Sequence, residues 1–400
     1  MPIAQFGASG FRCGGGDNPE DDALQPFEER NRHFDRLAAT EGLRWMGQNT
    51  NHFSPPEAVV DAMRRVIDEE GYHVYAPPAG FEELRALIVE DLGLPGQSAV
   101  VTDGAVLGLY HACHTFLGPG DALITTDPSW AWPIKFAAER GAEVRQVPIY
   151  GREWGYRLDP ARLEAAMDAR VRVIYFVDPN NPLGTVATRA EIEAICDVAR
   201  RFDCVLIHDC TYRDFAWEHH LAGAIAPERT LTITSFSKWL GLAGLRVGAW
   251  VAAPETAQRL ASAAPNILGS SVFAQRAAIA GLKSKAEWFP GILRRQRANQ
   301  EKIREAVERV PGLAMPIDRS SGNFVIVETG EAGIRPEALC RALAERNIMI
   351  RQGSYHTPAF GDRFVKVSTT VPEAWVEEFC GLLPEVVEQA RGLNADVALY

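Results

Sequence analysis

Seven short apolar runs recur between residues 99 and 252: AVVT (99–102), ALITT (122–126), EVRQVPI (143–149), VRVIYFVD (171–178), CVLIHD (204–209), LTITSF (231–236) and VGAWVA (247–252). Helical patterns fill most of the gaps. Runs so short and so apolar suit strands covered on both faces, as in a parallel sheet whose crossover helices pack on either side. That limits the chain to a doubly covered α/β architecture with a mostly parallel seven-stranded sheet.

The flanks read differently. Residues 1–45 are Gly- and acid-rich, with a short helix expected from Phe27 to Leu37. Helical faces follow at Val59, Val60, Met63, Val66 and Ile67, and at Phe81, Leu84, Leu87, Ile88 and Leu92. After about residue 285 a long polar helix, expected from Trp288 to Val310, leads to NFVIVE (323–328), a helix, IMIRQG (348–353), FVKVSTT (364–370) and a final helix. The reading is a large domain over 46–285, a smaller α+β domain over 286–400, and an extension over 1–45 that packs with the smaller domain.

Composition excludes several classes. A net charge of −11 over 400 residues argues against a nucleic-acid backbone as partner. No apolar stretch approaches a membrane span, and the first residues lack the layout of a signal peptide. Seven scattered cysteines without a CxxC pair suggest reduced thiols and a cytoplasmic home.

In an open parallel sheet, ligands bind outside the carboxyl ends of the strands. Asp103-Gly104-Ala105-Val106 follows the first run and opens a helix, offering free backbone N–H groups to an anion. Ser235, Ser237 and Arg246 add hydroxyls and a guanidinium suited to phosphate. Trp130, after the second run, offers a flat face for a ring. Asp209 ends an apolar strand and needs a cationic partner there. Lys238 suits a Schiff base if its ammonium loses a proton readily. A phosphate, a ring, a ring cation and an aldehyde together describe pyridoxal 5′-phosphate.

The chain resembles fold-type I pyridoxal-phosphate enzymes of the class I/II aminotransferase family. The resemblance spans roughly residues 45–390. It rests on Tyr75-Ala-Pro-Pro-Ala-Gly80 with Leu84-Arg85, Thr102-Asp-Gly-Ala105, Asp127-Pro-Ser-Trp130, Asn180-Asn-Pro-Leu-Gly184, Asp209-Cys-Thr-Tyr212, and Ser235-Phe-Ser-Lys238 through Arg246-Val-Gly248. It implies that Lys238 is the Schiff-base lysine and Asp209 the pyridinium partner. Asn181 and Tyr212 would bond the ring's 3′-oxygen, and Trp130 would stack on the ring. Gly104, Ala105, Val106, Ser235, Ser237 and Arg246 would hold the phosphate. Tyr75 would reach the phosphate of another subunit, which implies a homodimer with composite active sites. The expected reaction is transamination between an amino acid or amino-acid-derived amine and a 2-oxo acid.

One position departs from the family. The strand that usually carries an arginine for the substrate α-carboxylate reads Phe364-Val365-Lys366-Val367-Ser368, and lysine is a point charge rather than a fork. Two readings stay open. In one, Lys366 does the same work less tightly. In the other, the similarity of GLAGLRVG, Ser321-Gly-Asn-Phe324 and Ile350-Arg351 to the histidinol-phosphate aminotransferase and threonine-phosphate decarboxylase branch implies that Arg351 meets an anionic end of the substrate, in a pocket with Tyr355 and His356. Asn51, within the Asn49–Phe53 stretch, is a further substrate candidate, and Arg12 in the extension is a candidate to cover that pocket. Decarboxylation, elimination or cyclisation on the same cofactor is the first rival reaction. A regulator built on this fold is a distant second, since no helix-turn-helix precedes the aminotransferase-like part. GLAGLRVG is not a dinucleotide loop, because it precedes a strand and lacks G-x-G-x-x-G. No metal is expected: the pairs His111/His114 and His219/His220 lack a carboxylate–histidine constellation, and His208 reads as structural.

Overall fold

The computed structural model describes residues 26–263 and 268–393. Arg12 and Cys13 lie outside the described residues. Pro26–Ala39 forms a helix in an N-terminal unit, and from Leu43 onward the chain forms a second compact unit. The strands of that second unit are β1 (Arg44–Trp45), β2 (Ser98–Thr102), β3 (Ala122–Asp127), β4 (Glu143–Pro148), β5 (Val171–Val177), β6 (Val205–Asp209), β7 (Thr230–Ser235), β8 (Gly248–Ala252), β9 (Phe324–Glu328), β10 (Ile348–Met349), β11 (Arg351–Gln352) and β12 (Phe364–Ser368).

All seven runs read from the sequence are strands of one sheet, ordered β2-β8-β7-β6-β5-β3-β4. Only β8 runs against the rest, pairing antiparallel with both β2 and β7. Apolar side chains on both faces explain the fold. On β6, Leu206 enters a core with Ile124, Ile174 and Ile195, while Ile207 enters a different core with Leu109, Tyr175 and Trp250. The helix Arg189–Arg201, which covers one face, starts with a capping box in which Thr188 Oγ1 accepts from Glu191 N and Glu191 returns a bond to the Thr188 backbone.

Beyond the sheet, β11-β12-β9 form an antiparallel three-stranded sheet and β1 pairs parallel with β10. The segment IMIRQG is two short strands rather than one, because its two halves pair with different partners. The long polar helix begins sixteen residues before the expected Trp288 and runs Val272–Glu308, through the position where the texture changes. Its first turns are small and apolar (Ala274, Ala277, Ala278) and pack in a core with Trp239, Leu240 and Phe289. That composition disguised them as part of the preceding domain.

Because β6 is covered on both faces, Leu206→Ala and Ile207→Ala should each cost about 2–5 kcal/mol, seen as lower urea midpoints. A large loss in one variant and a negligible loss in the other would contradict a doubly covered strand.

Candidate active site

Strand register gathers the predicted residues on one rim. Thr102 and Ser235 both pair with Gly248, and Val177 pairs with Asp209. The first two pairings bring together the Gly104 turn, the two serines and Arg246. The helix Ala105–Phe116 has no side-chain cap at its start, where Gly104 takes φ 77°, so its first N–H groups remain available. A Cβ on Gly104 would lie 2.2 Å from Arg246 Nη2, so only glycine lets the guanidinium close over this turn. Gly248 is equally constrained, since a Cβ there would meet Ala105 N at 2.5 Å. Ser235 and Ser237 are both buried, and Ser235 Oγ accepts from Ser237 N at 3.2 Å. Ala105 is buried and Val106 half-buried on the same helix start. This is an anion cradle of backbone dipole, hydroxyls and one fixed cation.

Lys238 is half-buried, and its Nζ donates to Gln48 O at 3.2 Å. Burial first, and then the nearby Arg246, bring its pKa down to about 8. Asp209 is buried at the end of β6. It accepts from Thr211 Oγ1 at 2.6 Å, Thr211 N at 3.1 Å and Tyr175 OH at 3.1 Å. Burial nevertheless raises its pKa above the ordinary value, because none of these donors is a cation. A ring N–H⁺ is the partner such a carboxylate lacks. Trp130 sits half-buried at the start of the helix Ala131–Glu139. The cradle, the amine, the buried carboxylate and the ring face match the groups of pyridoxal phosphate one for one.

Residues 42–383 match the family model of aminotransferase class I and II. The chain belongs to that family. Histidinol-phosphate aminotransferase 1 of Cupriavidus pinatubonensis is 30% identical over 359 residues, which cover 88% of this chain and 90% of the relative. Aspartate/prephenate aminotransferase of Thermus thermophilus is 28% identical over 341 residues, 82% of this chain and 86% of the relative. A solved structure of a Thermus thermophilus aspartate aminotransferase tetra mutant aligns with TM-score 0.77 at 26% identity, covering 88% of this chain and 98% of that one. N-succinyldiaminopimelate aminotransferase of Mycobacterium tuberculosis, at 23% identity, shares the fold with TM-score 0.80 over 89% of this chain and 96% of that one. The aminotransferase described here is accordingly a pyridoxal-phosphate enzyme of fold type I.

The remaining site residues divide. Lys366 is buried and donates to Asn181 Oδ1 at 3.3 Å. It lies directly across from Arg351 in the β11–β12 register, and Arg351 is buried as well. Burial, Arg351 and Lys238 hold the Lys366 amine well below its ordinary range. His356 is buried, its Nε2 has no partner, and burial with Lys366 and Arg351 keeps the ring neutral. Tyr355 is half-open to solvent, with the Arg351 guanidinium 4.6 Å from its ring centroid. Both amide atoms of Asn51 are occupied, Nδ2 by Trp239 O and Oδ1 by Phe53 N. The fold thus uses Asn51 to hold the chain after Lys238. Tyr75 is 80% exposed and stands clear of its own chain's cradle.

Three residues at the site escaped sequence reasoning. Asn49, in the left-handed conformation at φ 55°, donates from Nδ2 to Tyr212 OH at 3.0 Å. Tyr175 and Thr211 hold Asp209. Tyr175 carried a signal, since a hydroxyl in a doubly buried strand needs a partner; Asn49 carried none, being far away in sequence. His208, Cys210 and His219 cluster closely enough to suggest a cation site. However, Ala222 N donates to His208 Nδ1 at 3.2 Å, which puts the proton of the neutral ring on Nε2, facing Asp178 Oδ2 at 3.6 Å. His219 Nε2 lies 3.0 Å from Asp178 O and 3.3 Å from Asp178 Oδ2. The two rings thus flank the buried Asp178, just before the turn that carries Asn181.

In cofactor-free protein, Lys238 should react with simple aldehydes at a rate that rises to a plateau above about pH 8, and Arg246→Gln should move the inflection upward. Since the unfolded chain keeps the ordinary lysine value, it binds more protons than the folded chain between those two values. Cofactor-free protein should therefore gain stability as pH rises from about 8 towards 10.5. A midpoint of aldehyde reaction near 10.5 would contradict the lowered pKa of the amine.

Proposed function

We propose that this aminotransferase acts on an α-amino acid carrying a second anionic group, with Lys366 receiving the α-carboxylate and Arg351 the second anion. The observation that carries this reading is the pair Arg351–Lys366, a guanidinium and an amine buried on adjacent strands beside a neutral His356. An anion brought by the substrate would favour the charged form of the Lys366 amine, which burial and Arg351 otherwise disfavour. The hydrogen bond from Lys366 to Asn181 Oδ1 supports a shared role, as it aims the lysine and leaves Asn181 Nδ2 free to donate towards the ring oxygen. Asn49 acts in the same way on Tyr212, since its amide N–H occupies one lone pair of the phenol and turns the O–H outward.

When bound, pyridoxal phosphate supplies the electron sink that stabilises charge at the substrate Cα. The side chains supply the rest. Gly104, Ala105, Val106, Ser235, Ser237 and Arg246 bind the phosphate, and Trp130 covers the ring. Asp209 holds the proton on the ring nitrogen. Lys238 Nζ would hold the aldehyde carbon at rest and, once released, would take the Cα proton as a base and return it as an acid two bonds away, at the former aldehyde carbon. Its lowered pKa suits both halves of that task. Burial of Asp209 and Lys366 excludes water, which strengthens each of these interactions.

The reading includes a homodimer. Tyr72, Val74 and Tyr75 are all exposed on one stretch, an apolar surface that a second copy would cover while Tyr75 reached that copy's cradle. Six cysteines are free in the described residues, which supports a reducing compartment such as the cytoplasm. No helix among the described residues is long and apolar enough to cross a membrane.

A donor screen tests the substrate class. Amino acids with a carboxylate or phosphate side chain should change the visible absorbance of the loaded enzyme, and Lys238→Ala should abolish the change. Lys366→Met should raise KM for every donor, whereas Arg351→Met should raise it only for those with the second anion. Equal losses across acidic and neutral donors in Arg351→Met would overturn the assignment. The composite site is tested by mixing inactive Lys238→Ala with inactive Tyr75→Ala. Random reassortment leaves one intact site in each mixed dimer, restoring about a quarter of wild-type activity; no recovery would exclude shared sites.

A further inference from the structure

A cavity of about 210 Å³ lies among the chain after β6, the helix Val272–Glu308 and the turn before β9. Its walls include Trp217, Arg297, Met315, Asp318 and Arg319, none of which contributes to the site described above. The guanidinium of Arg297 lies 3.7 Å from the centroid of the Trp217 ring, and that of Arg319 lies 5.2 Å from it. A third arginine of the wall, Arg304, is bonded to Glu301 and Glu308. Arg297, Arg319 and Asp318 are different, having no hydrogen bond or ion pair within the described residues. Arg297 Nε is buried without a partner, and burial lowers the guanidinium from its ordinary value. A guanidinium nitrogen closed off from water normally finds an acceptor.

We propose that this cavity binds a free α-amino acid, at a site separate from the cofactor. The charges without an ion-pair partner, Arg319 and Asp318 open to solvent and Arg297 half-buried, match a zwitterion: two forked cations for its carboxylate and one carboxylate, Asp318, for its ammonium. A bare oxyanion would leave Asp318 beside a like charge, so the acid favours a ligand that brings a cation too. Trp217 and Met315 offer an apolar wall for the side chain, and the volume suits one small molecule. The same segment leads to the cofactor site. Ser321 N donates to Gly184 O at 2.7 Å, in the turn that carries Asn181. Three residues further on, the Phe324 ring meets the Tyr212 ring edge-on at 5.1 Å and lies 5.3 Å from Lys366 Nζ. An occupant would therefore bear on residues that position the cofactor and substrate.

Equilibrium dialysis of the cofactor-loaded enzyme against L-phenylalanine tests this, with inorganic phosphate as the bare anion. Because amino acids can also enter the cofactor site, the decisive quantity is the difference in stoichiometry between wild type and two variants, Arg297→Gln/Arg319→Gln and Asp318→Asn. Wild type should bind one more equivalent of L-phenylalanine per chain, with affinity at the extra site weakened by about tenfold or more in either variant. Both variants should retain the wild-type visible absorbance and its response to an active donor, which shows that they fold. Equal stoichiometry and affinity in wild type and variants would overturn the proposal. Saturable phosphate binding with no extra equivalent of L-phenylalanine would also overturn it, leaving a plain oxyanion site.

Discussion

The chemistry of this protein depends on a buried carboxylate and a half-buried amine that the fold keeps from pairing with each other. Asp209 ends β6 and takes its hydrogen bonds from Tyr175 and Thr211; Lys238 lies past the end of β7 and finds only a backbone carbonyl. Had the two met, each would have been stabilised in its charged form and neither would have had anything left for a ligand. Held apart, the acid rises in pKa and the amine falls. Both shifts have burial as their first cause.

The same logic extends outward from that pair. Lys366 and Arg351 lie opposite each other on two antiparallel strands, and burial together with Arg351 lowers the Lys366 amine. Asp178 shows the opposite solution. Its carboxylate is buried as deeply as Asp209, but two imidazoles flank it and it stays ionised well below the ordinary carboxylate value. Asp178 keeps its charge between two imidazoles and accepts from Ala187 N, whereas Asp209 takes its hydrogen bonds from neutral groups alone. Burial alone does not separate the two acids; the polar groups packed around each carboxylate do.

Much of this was legible in the chain. The seven apolar runs translate directly into the sheet because a strand covered on both faces has no choice of pattern. The residues immediately after each run form the rim because parallel strands must all end on the same side. Glycine at 104 and 248 could be read as close approach, and the structure supplies the reason in Arg246 and in the backbone of Ala105. Harder to read were the start of the helix Val272–Glu308, whose small residues look like domain core, and Asn51, whose polar side chain is wholly used in holding the chain.

The sequence by itself determined the architecture, the cofactor and the residues on the rim, since these follow from strand periodicity and from short motifs whose members are neighbours along the chain. Only the tertiary structure decided which polar groups meet. It brought Asn49 to Tyr212 across 163 positions, Lys366 to Asn181 across 185, and Arg297 to the face of Trp217. Hydrogen bonds and charge interactions act over a few ångströms in space and carry no trace in sequence distance. Periodicity therefore announces the scaffold, while the partners of each functional side chain appear only when the chain has closed on itself.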